Sequence, residues 1–245
     1  LLASSAASDV YKRQEIPEKK WNYDSEIIGI DIPVVAVMGI GQNVQKFDLQ
    51  LYLRSRFIDK GYKVSQIGTK KISGLFGLHP LPDFLFNTQY SDVDKVYAFN
   101  RVMKDVSMQE KPDVILLGIP DSLLPLNNKH RFSFGLYAYE IFNAVQPDFV
   151  ITSLMANNGY NDEFYSEISK MAKYKYNVNI DAYFVSQFCP LSNSIWSEKL
   201  SYVYLSRMEL PKTEYKVYTT SDLNNDILFK QAEKKLLLYL SLIHI

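Results

Sequence analysis

Several residue types and patterns are scarce in this chain of 245 residues, and each scarcity excludes a class of protein. Cys189 is the single cysteine, so no internal disulfide can form, which favours a reducing, cytoplasmic location. No apolar run approaches the ~18 residues that a membrane-spanning helix needs, so no membrane span is expected. The 27 basic and 27 acidic residues balance to a formal charge of zero, which does not indicate binding to nucleic acid.

Histidine is also rare, and this limits the metal-binding and nucleophilic chemistry open to the chain. One cysteine with His79, His130 and His244 forms no recognisable zinc pattern. There is no G-x-S-x-G elbow and no recognisable pair of nucleophile and histidine. His79 and His130 fall in predicted loops, where each is either a general base or a surface residue. The sequence identifies no catalytic residue and does not decide whether the protein is an enzyme.

Both ends of the chain resemble translated sequencing-adapter sequence. These segments are residues 1–14, LLASSAASDVYKRQ, and residues 241–245, SLIHI. We interpret them as non-native, which removes His244 from any functional role. Residues 15–31 are polar and charged, and we interpret them as a linker from a missing N-terminal region. The α/β domain is then expected to span residues 32–240.

The fold class follows from composition and from the order of apolar segments. An apolar content of 47% suits one domain with a full core. Strand-like segments alternate with helical ones; strands are predicted at 34–38, 62–67, 113–118, 149–153, 179–188 and 202–207, and helices at 46–60, 91–111, 134–146, 161–176 and 223–240. This alternation predicts a three-layer α/β fold of P-loop or Rossmann-like type, with a mainly parallel sheet and helices on both faces.

In such sheets, ligands bind beyond the carboxyl ends of the strands. Three long loops leave those ends here: residues 39–46, 68–90 and 119–133. The first is the most informative, since an apolar strand runs into a glycine turn and then into a helix. It reads Gly39-Ile40-Gly41-Gln42-Asn43-Val44-Gln45-Lys46.

This turn has the chemistry of a phosphate-binding loop. Glycines let backbone N–H groups approach an anion, and the N-terminus of a helix carries partial positive charge. A lysine adds a full charge that reaches terminal phosphates. We therefore predict a phosphate or nucleotide site formed by Gly39, Gly41, Gln42, Asn43, Gln45 and Lys46.

The loop nevertheless departs from the Walker A pattern G-x-x-x-x-G-K-[ST]. Gln45 stands where the pattern has its second glycine, and Phe47 and Asp48 follow Lys46 in place of the hydroxyl residue that holds Mg²⁺. ATP or GTP with Mg²⁺ are the cofactors to consider, but hydrolysis does not follow from the motif. The alternative is a tight strand-to-helix turn with a solvated lysine.

Five further residues are candidates for a metal site or a second loop. Asp48 is either a Mg²⁺ ligand or a carboxylate favoured by the first turn of a helix. Asp121 follows an apolar strand as a Walker B acid does, but Gly118 stands where one group of P-loop proteins has that acid. Asn127, Asn128 and Lys129 form either a substrate or phosphate loop or a simple turn. No metal ligand is assigned.

Several segments of the chain resemble one clostridial family, the peptide maturation system proteins. Its members are encoded beside radical-SAM maturases and small Cys-rich, bacteriocin-like precursors. The resemblance covers residues 30–155 well and is looser from there to 240. The matching residues are Gly39, Gly41, Lys46-Phe47, Gln50, Arg54, Gly61-Tyr62-Lys63-Val64-Ser65-Gln66-Ile67-Gly68, Lys111-Pro112-Asp113-Val114-Ile115, Gly118-Ile119-Pro120, Asn127-Asn128-Lys129, Phe134-Gly135, Ala138-Tyr139-Glu140 and Pro147-Asp148.

The resemblance implies a role in making a ribosomally synthesised, post-translationally modified peptide, a bacteriocin-like natural product, but it supplies no reaction. The family looks like one with an additional N-terminal Rossmann-like region, in agreement with the linker at 15–31. It also implies a non-glycine residue before the loop lysine. The proteins encoded beside members of this family imply two partners, a radical-SAM maturase and a precursor peptide.

Three hypotheses for the function remain open. The leading one is a cytoplasmic accessory protein of peptide maturation that binds a nucleotide or another phosphorylated ligand. The second is a non-catalytic module that presents precursor peptide to the maturase, with apolar residues at 75–86 as a docking surface. The third is an ATP-dependent peptide-modifying enzyme, which would need a competent Mg²⁺ site.

Overall fold

A computed structural model of the protein describes residues 26–69, 71–206 and 208–243. The adapter-like segment predicted at 1–14 lies outside the described residues, as do residues 15–25 of the predicted linker and the last two residues of the predicted tail. Within the described ranges, no helix combines the length and the apolar character needed to cross a bilayer.

A seven-stranded parallel sheet forms the centre of the fold. Along the chain the strands are β1 (Val34–Ile40), β2 (Val64–Gly68), β3 (His79–Pro80), β4 (Val114–Gly118), β5 (Phe149–Leu154), β6 (Ala182–Val185), β7 (Phe188–Pro190), β8 (Tyr202–Tyr204) and β9 (Val217–Tyr218). Their order across the sheet is β3-β2-β4-β1-β5-β6-β9, while β7 and β8 pair separately as an antiparallel hairpin. Strand β1 is therefore central, between β4 and β5.

Helices cover both faces of this sheet. They are α1 (Lys46–Asp59), α2 (Asp92–Glu110), α3 (Leu136–Ala144), α4 (Asp162–Tyr176), the short α5 (Thr220–Leu223) and α6 (Ile227–Ile243), with 3-10 turns at Lys71–Phe76 and Asp83–Phe86. Side chains of α2, α3 and α4 share one apolar core, and side chains of α1 and α6 share the other. The predicted three-layer α/β fold of P-loop or Rossmann-like type is confirmed.

The sequence of β1 explains its central place. Successive side chains of a strand alternate between the two faces of a sheet. Ala36 and Met38 enter the core on the α2–α4 side, and Val35 and Val37 enter the core on the α1–α6 side. A strand that is buried on both faces is mostly apolar, and the apolar run of β1 identifies it in the sequence.

The parts predicted least well lie at the edges of the sheet. The strand predicted at 202–207 is β8, and it pairs with β7 in the hairpin instead of joining the parallel sheet. The long loop 68–90 contains two 3-10 turns and the edge strand β3. Strands β3 and β9 have two residues each, too few to show an apolar period.

The apolar docking surface proposed at 75–86 is largely absent. Leu75 and Phe76 are exposed, at 86% and 58% of their surface. Leu78, Leu81 and Phe84 are instead buried, and the last two belong to the core beneath the edge of the sheet. The apolar residues in the second half of this segment therefore pack inside the protein and do not form a surface for a partner.

Candidate functional site

The predicted phosphate loop lies at the carboxyl edge of the three central strands. It leaves β1, and Asp121 follows the neighbouring strand β4 three residues after its end. On the other side, Ser153 of β5 is paired with Gly39 in the parallel register. The sheet thus brings Lys46 and Asp121 together, as the position of both at strand ends predicted.

The backbone of the loop has an alternating conformation. Gly41, Asn43 and Gln45 have positive φ angles of 114°, 54° and 56°, and the residues between them do not. Such alternation makes a concave row of N–H groups that suits an anion. The N–H groups of residues 42–45 have no acceptor within the part of the chain that the structure describes.

Side chains from distant segments hold this conformation. The N–H of Gly41 donates to Ser122 Oγ at 2.7 Å, and Ser153 Oγ donates to the carbonyl of Val44. Gln45 Oε1 accepts the N–H of Gln187 at 2.8 Å. Gln45, which replaces the Walker glycine, therefore ties the loop to the connection between β6 and β7.

Gly39 is required by close packing. A Cβ at this position would lie 2.7 Å from Cγ2 of Val44, 2.9 Å from Cδ of Lys46 and 3.1 Å from the carbonyl oxygen of Ser153. Carbon atoms that are not bonded normally stay about 3.5–4.0 Å apart. The loop can fold back over β1 only because residue 39 has no side chain.

Lys46 lies half-buried at the mouth of the loop, in the first turn of α1. Its Nζ donates to the backbone carbonyl of Asp121. Burial lowers the pKa of Lys46 to about 8, and the nearby carboxylate of Asp121 opposes this shift only in part. A half-buried ammonium group that donates to a neutral carbonyl gains from a further, anionic acceptor.

Asp121 connects the loop to the second irregular segment. Its Oδ2 accepts the N–H of Ser133 at 2.7 Å, and its Oδ1 lies 3.3 Å from Nε2 of Gln42. Its own φ angle is 56°, in the left-handed region. Both carboxylate oxygens are thus used within the protein, which fits the turn interpretation of Asp121 better than the ligand interpretation.

Asp48 is placed differently from Asp121. It is exposed, lines the same cavity as Lys46 and has no hydrogen-bond or ion-pair partner among the described residues. Mg²⁺ is commonly held by one or two carboxylates together with phosphates of the substrate, and Asp48 fits such a place. The described residues contain no group of three or more His, Cys, Asp or Glu able to hold a metal by themselves.

A first cavity of about 280 Å³ opens beside residues 43–48. Thr69, Phe188 and Tyr202 form its other walls. Burial raises the pKa of Tyr202. Phe188 and Tyr202 come from the β7–β8 hairpin and were missed in the sequence, where nothing local indicated that this hairpin faces the loop.

A second cavity of about 440 Å³ borders the other end of the loop, at Gln42 and Asn43. The predicted second loop supplies Lys129 to it, and Lys199 and Tyr202 stand opposite. Asn127 is structural, because its Oδ1 accepts the N–H groups of Lys129 and His130 at 2.8 Å each. Asn128 is exposed, and its carbonyl accepts Nε of Arg131 at 2.8 Å.

The two histidines have separate surroundings. His79 Nε2 lies 2.5 Å from Oε1 of Glu110, and His79 lines neither cavity. His130 lines the second cavity and stacks on Phe132, with ring centroids 6.4 Å apart. Of the two histidines, His130 is therefore the one that lies near the predicted phosphate loop.

No protein-family model and no curated protein matches the sequence. Among solved structures, the chain is similar to a DUF1611 family protein from Anabaena variabilis, with a TM-score of 0.55 and 12% identity. That match covers 88% of this chain and 62% of the other, so the chain spans less than two thirds of that protein's length. The likeness shows the fold.

Weaker similarity links the chain to two further structures. Chloroplast FtsY from Physcomitrella patens matches with a TM-score of 0.38 and 13% identity, over 75% of this chain and 57% of the other. A GTPase from Pyrococcus abyssi in its apo form matches with a TM-score of 0.36 and 13% identity, over 64% and 68%.

Proposed function

We propose that residues 39–46 bind the phosphates of a nucleotide or of another phosphorylated ligand. The observation that carries the proposal is the row of N–H groups at 42–45 that lack an acceptor among the described residues, with the desolvated ammonium of Lys46 at its end. Backbone N–H groups and a lysine charge together are the features by which proteins hold phosphate.

Each part of the site has a role in this proposal. A phosphate oxygen gives Lys46 a charged acceptor in place of the carbonyl of Asp121, and charge-assisted hydrogen bonds are roughly twice as strong as neutral ones. Asp48 stands in the cavity as the carboxylate for Mg²⁺. Phe188 and Tyr202 provide aromatic surface for a nucleobase in the first cavity.

We further propose a cytoplasmic accessory role in the maturation of a modified, bacteriocin-like peptide. The support is the resemblance to the peptide maturation system proteins, which includes Gly39, Gly41 and Lys46 of the loop and residues 127–129, of which Lys129 lines the second cavity. A radical-SAM maturase and its precursor peptide are the partners that this role predicts.

Isothermal titration calorimetry with ATP and with GTP, each in the presence of Mg²⁺, tests the phosphate site. We expect binding to the parent protein and loss of binding in Lys46→Ala. Lys173→Ala is the matched control, because Lys173 is an exposed lysine on α4, away from both cavities. Absence of heat with either nucleotide, from protein whose circular dichroism shows it to be folded, would refute the proposal.

One observation favours presentation of a peptide as a second candidate. Phe76 is exposed, and its ring lies 6.0 Å from the ring of Phe47, which lines the first cavity. Apolar surface beside a ligand cavity is suited to a partner chain. Capture of the precursor peptide by the parent protein, lost in Phe76→Ser and kept in Lys46→Ala, would support this candidate over nucleotide binding.

A further inference from the structure

The second cavity is a positively charged pocket next to the proposed phosphate loop. Lys129, Arg131 and Lys199 line it, with Glu198 as the acidic residue of its lining. The chain as a whole has a formal charge of zero, so this excess is local. Basic side chains that converge on a concave surface raise the local concentration of anions.

The three cations have no carboxylate partner within the described residues. Lys129 Nζ donates to the carbonyl of Trp196 at 3.1 Å, and Arg131 Nε donates to the carbonyl of Asn128. Those acceptors are neutral and leave the charges uncompensated. His130 also lines the pocket, and its buried Nε2 has no hydrogen-bond partner among the described residues.

Hydrogen bonds within the protein hold the side of the pocket formed by Lys129 and His130. Asn127 holds the backbone of Lys129 and His130 through its Oδ1, and its Nδ2 donates to the carbonyl of Ile195 at 2.9 Å. The bond from Lys129 to Trp196 adds a second link between the same two segments. A preorganised pocket loses less entropy when a ligand binds.

The position of the pocket suggests what it holds. It borders Gln42 and Asn43 at the start of the loop, next to Asp121, which receives Nζ of Lys46. In phosphate-binding loops the lysine reaches the terminal phosphates. Lys46 lines the first cavity, so a terminal phosphate held by Lys46 would lie on that side of the loop, and the basic pocket adjoins that cavity at Asn43 and Tyr202.

We propose that the pocket lined by Lys129, Arg131 and Lys199 binds the oxyanion group, a carboxylate or a phosphate, of a small second substrate. Its placement beside a nucleotide cavity rests on the proposed function, whereas the anion binding does not. The two parts are tested separately.

The anion site is tested in the Lys46→Ala background, which weakens the phosphate loop as a competing site. Inorganic phosphate and citrate are each titrated by calorimetry into this protein and into two further variants of it. Arg131→Glu with Lys199→Glu reverses two charges in the pocket. Lys173→Glu with Lys234→Glu makes the same change in net charge at exposed lysines on α4 and α6.

We expect the pocket reversal to weaken binding of phosphate or citrate by at least about tenfold, and the control reversal to change it by less than about twofold. Tighter binding of phosphate points to a phosphorylated substrate, and tighter binding of citrate to a carboxylic acid. Equal affinities in the two reversed variants, or no binding of either anion before reversal, would overturn the proposal.

A parallel titration of ATP with Mg²⁺ into protein with intact Lys46 separates the two proposals. Anion binding that depends on Arg131 and Lys199, without any nucleotide binding, would refute the phosphate loop and leave the pocket standing. Nucleotide binding without any anion binding in the pocket would refute the pocket and leave the phosphate loop standing.

Discussion

The proposed phosphate site predicts that ligand binding depends on pH through the charge of Lys46. Its pKa is lowered to about 8 by burial, so the free protein loses this charge within an accessible range. A phosphate ligand favours the charged form, and affinity must therefore fall as pH rises through about 8. With that pKa, roughly 90% of the free protein is charged at pH 7 and roughly 10% at pH 9.

The expected loss of affinity between these two pH values is about tenfold, or about 1.4 kcal/mol. Titration of the ligand contributes little, because the last pKa of a phosphate group is about 6. Calorimetry in two buffers of different ionisation enthalpy should also detect uptake of about half a proton at pH 8.

Lys46→Arg is the control for this prediction. An arginine with a pKa above about 12 keeps its charge throughout the range, so its affinity should stay nearly constant. The reasoning is refuted if the parent protein and Lys46→Arg show the same slope between pH 7 and pH 9, or if no buffer-dependent heat is found.

Three further substitutions test the packing around the site and in the core. Gly39→Ala brings a methyl group within 2.7 Å of a side-chain carbon of its own loop. It should cost about 1–3 kcal/mol in thermal unfolding and weaken ATP binding. Gly29→Ala, with no atom within 4 Å, should change neither. Lys95→Met leaves the buried Glu140 without the cation that lies 3.2 Å away, and it should lower the free energy of unfolding by about 3 kcal/mol. The double variant with Glu140→Leu should recover most of that loss in urea denaturation, and no recovery would contradict the assignment. Asn127→Ala removes three hydrogen bonds and should weaken citrate binding while ATP binding persists; an equal loss of both would argue against a separate pocket.

The central part of the fold was predictable because parallel strands that are buried on both faces are mostly apolar. Residues 34–38 and 114–117 show this pattern, and they are neighbours in the sheet as parts of β1 and β4. The proposed phosphate loop was predicted for a local reason, since its glycines and its lysine are close together in sequence. Asp121 was found from its position after β4.

The remaining parts of the site depend on contacts between residues far apart in sequence. The bond from Gln187 to Gln45 joins positions separated by 142 residues, and no local pattern encodes it. Without it, Gln45 looks like a defect in a Walker loop. The aromatic wall at Tyr202 was missed for the same reason, because the orientation of a short hairpin is determined by tertiary contacts.

Asn43 and Tyr202 line both cavities, and this shared wall has a thermodynamic consequence. Any ligand that moves either side chain changes the affinity of the neighbouring cavity, and linkage requires the effect to be equal in both directions. Asp121 strengthens the connection, since Lys46 and Ser133 both donate to it. In the proposed scheme, the two sites therefore report on each other's occupancy, and the protein can respond to two ligands present together differently from either one alone.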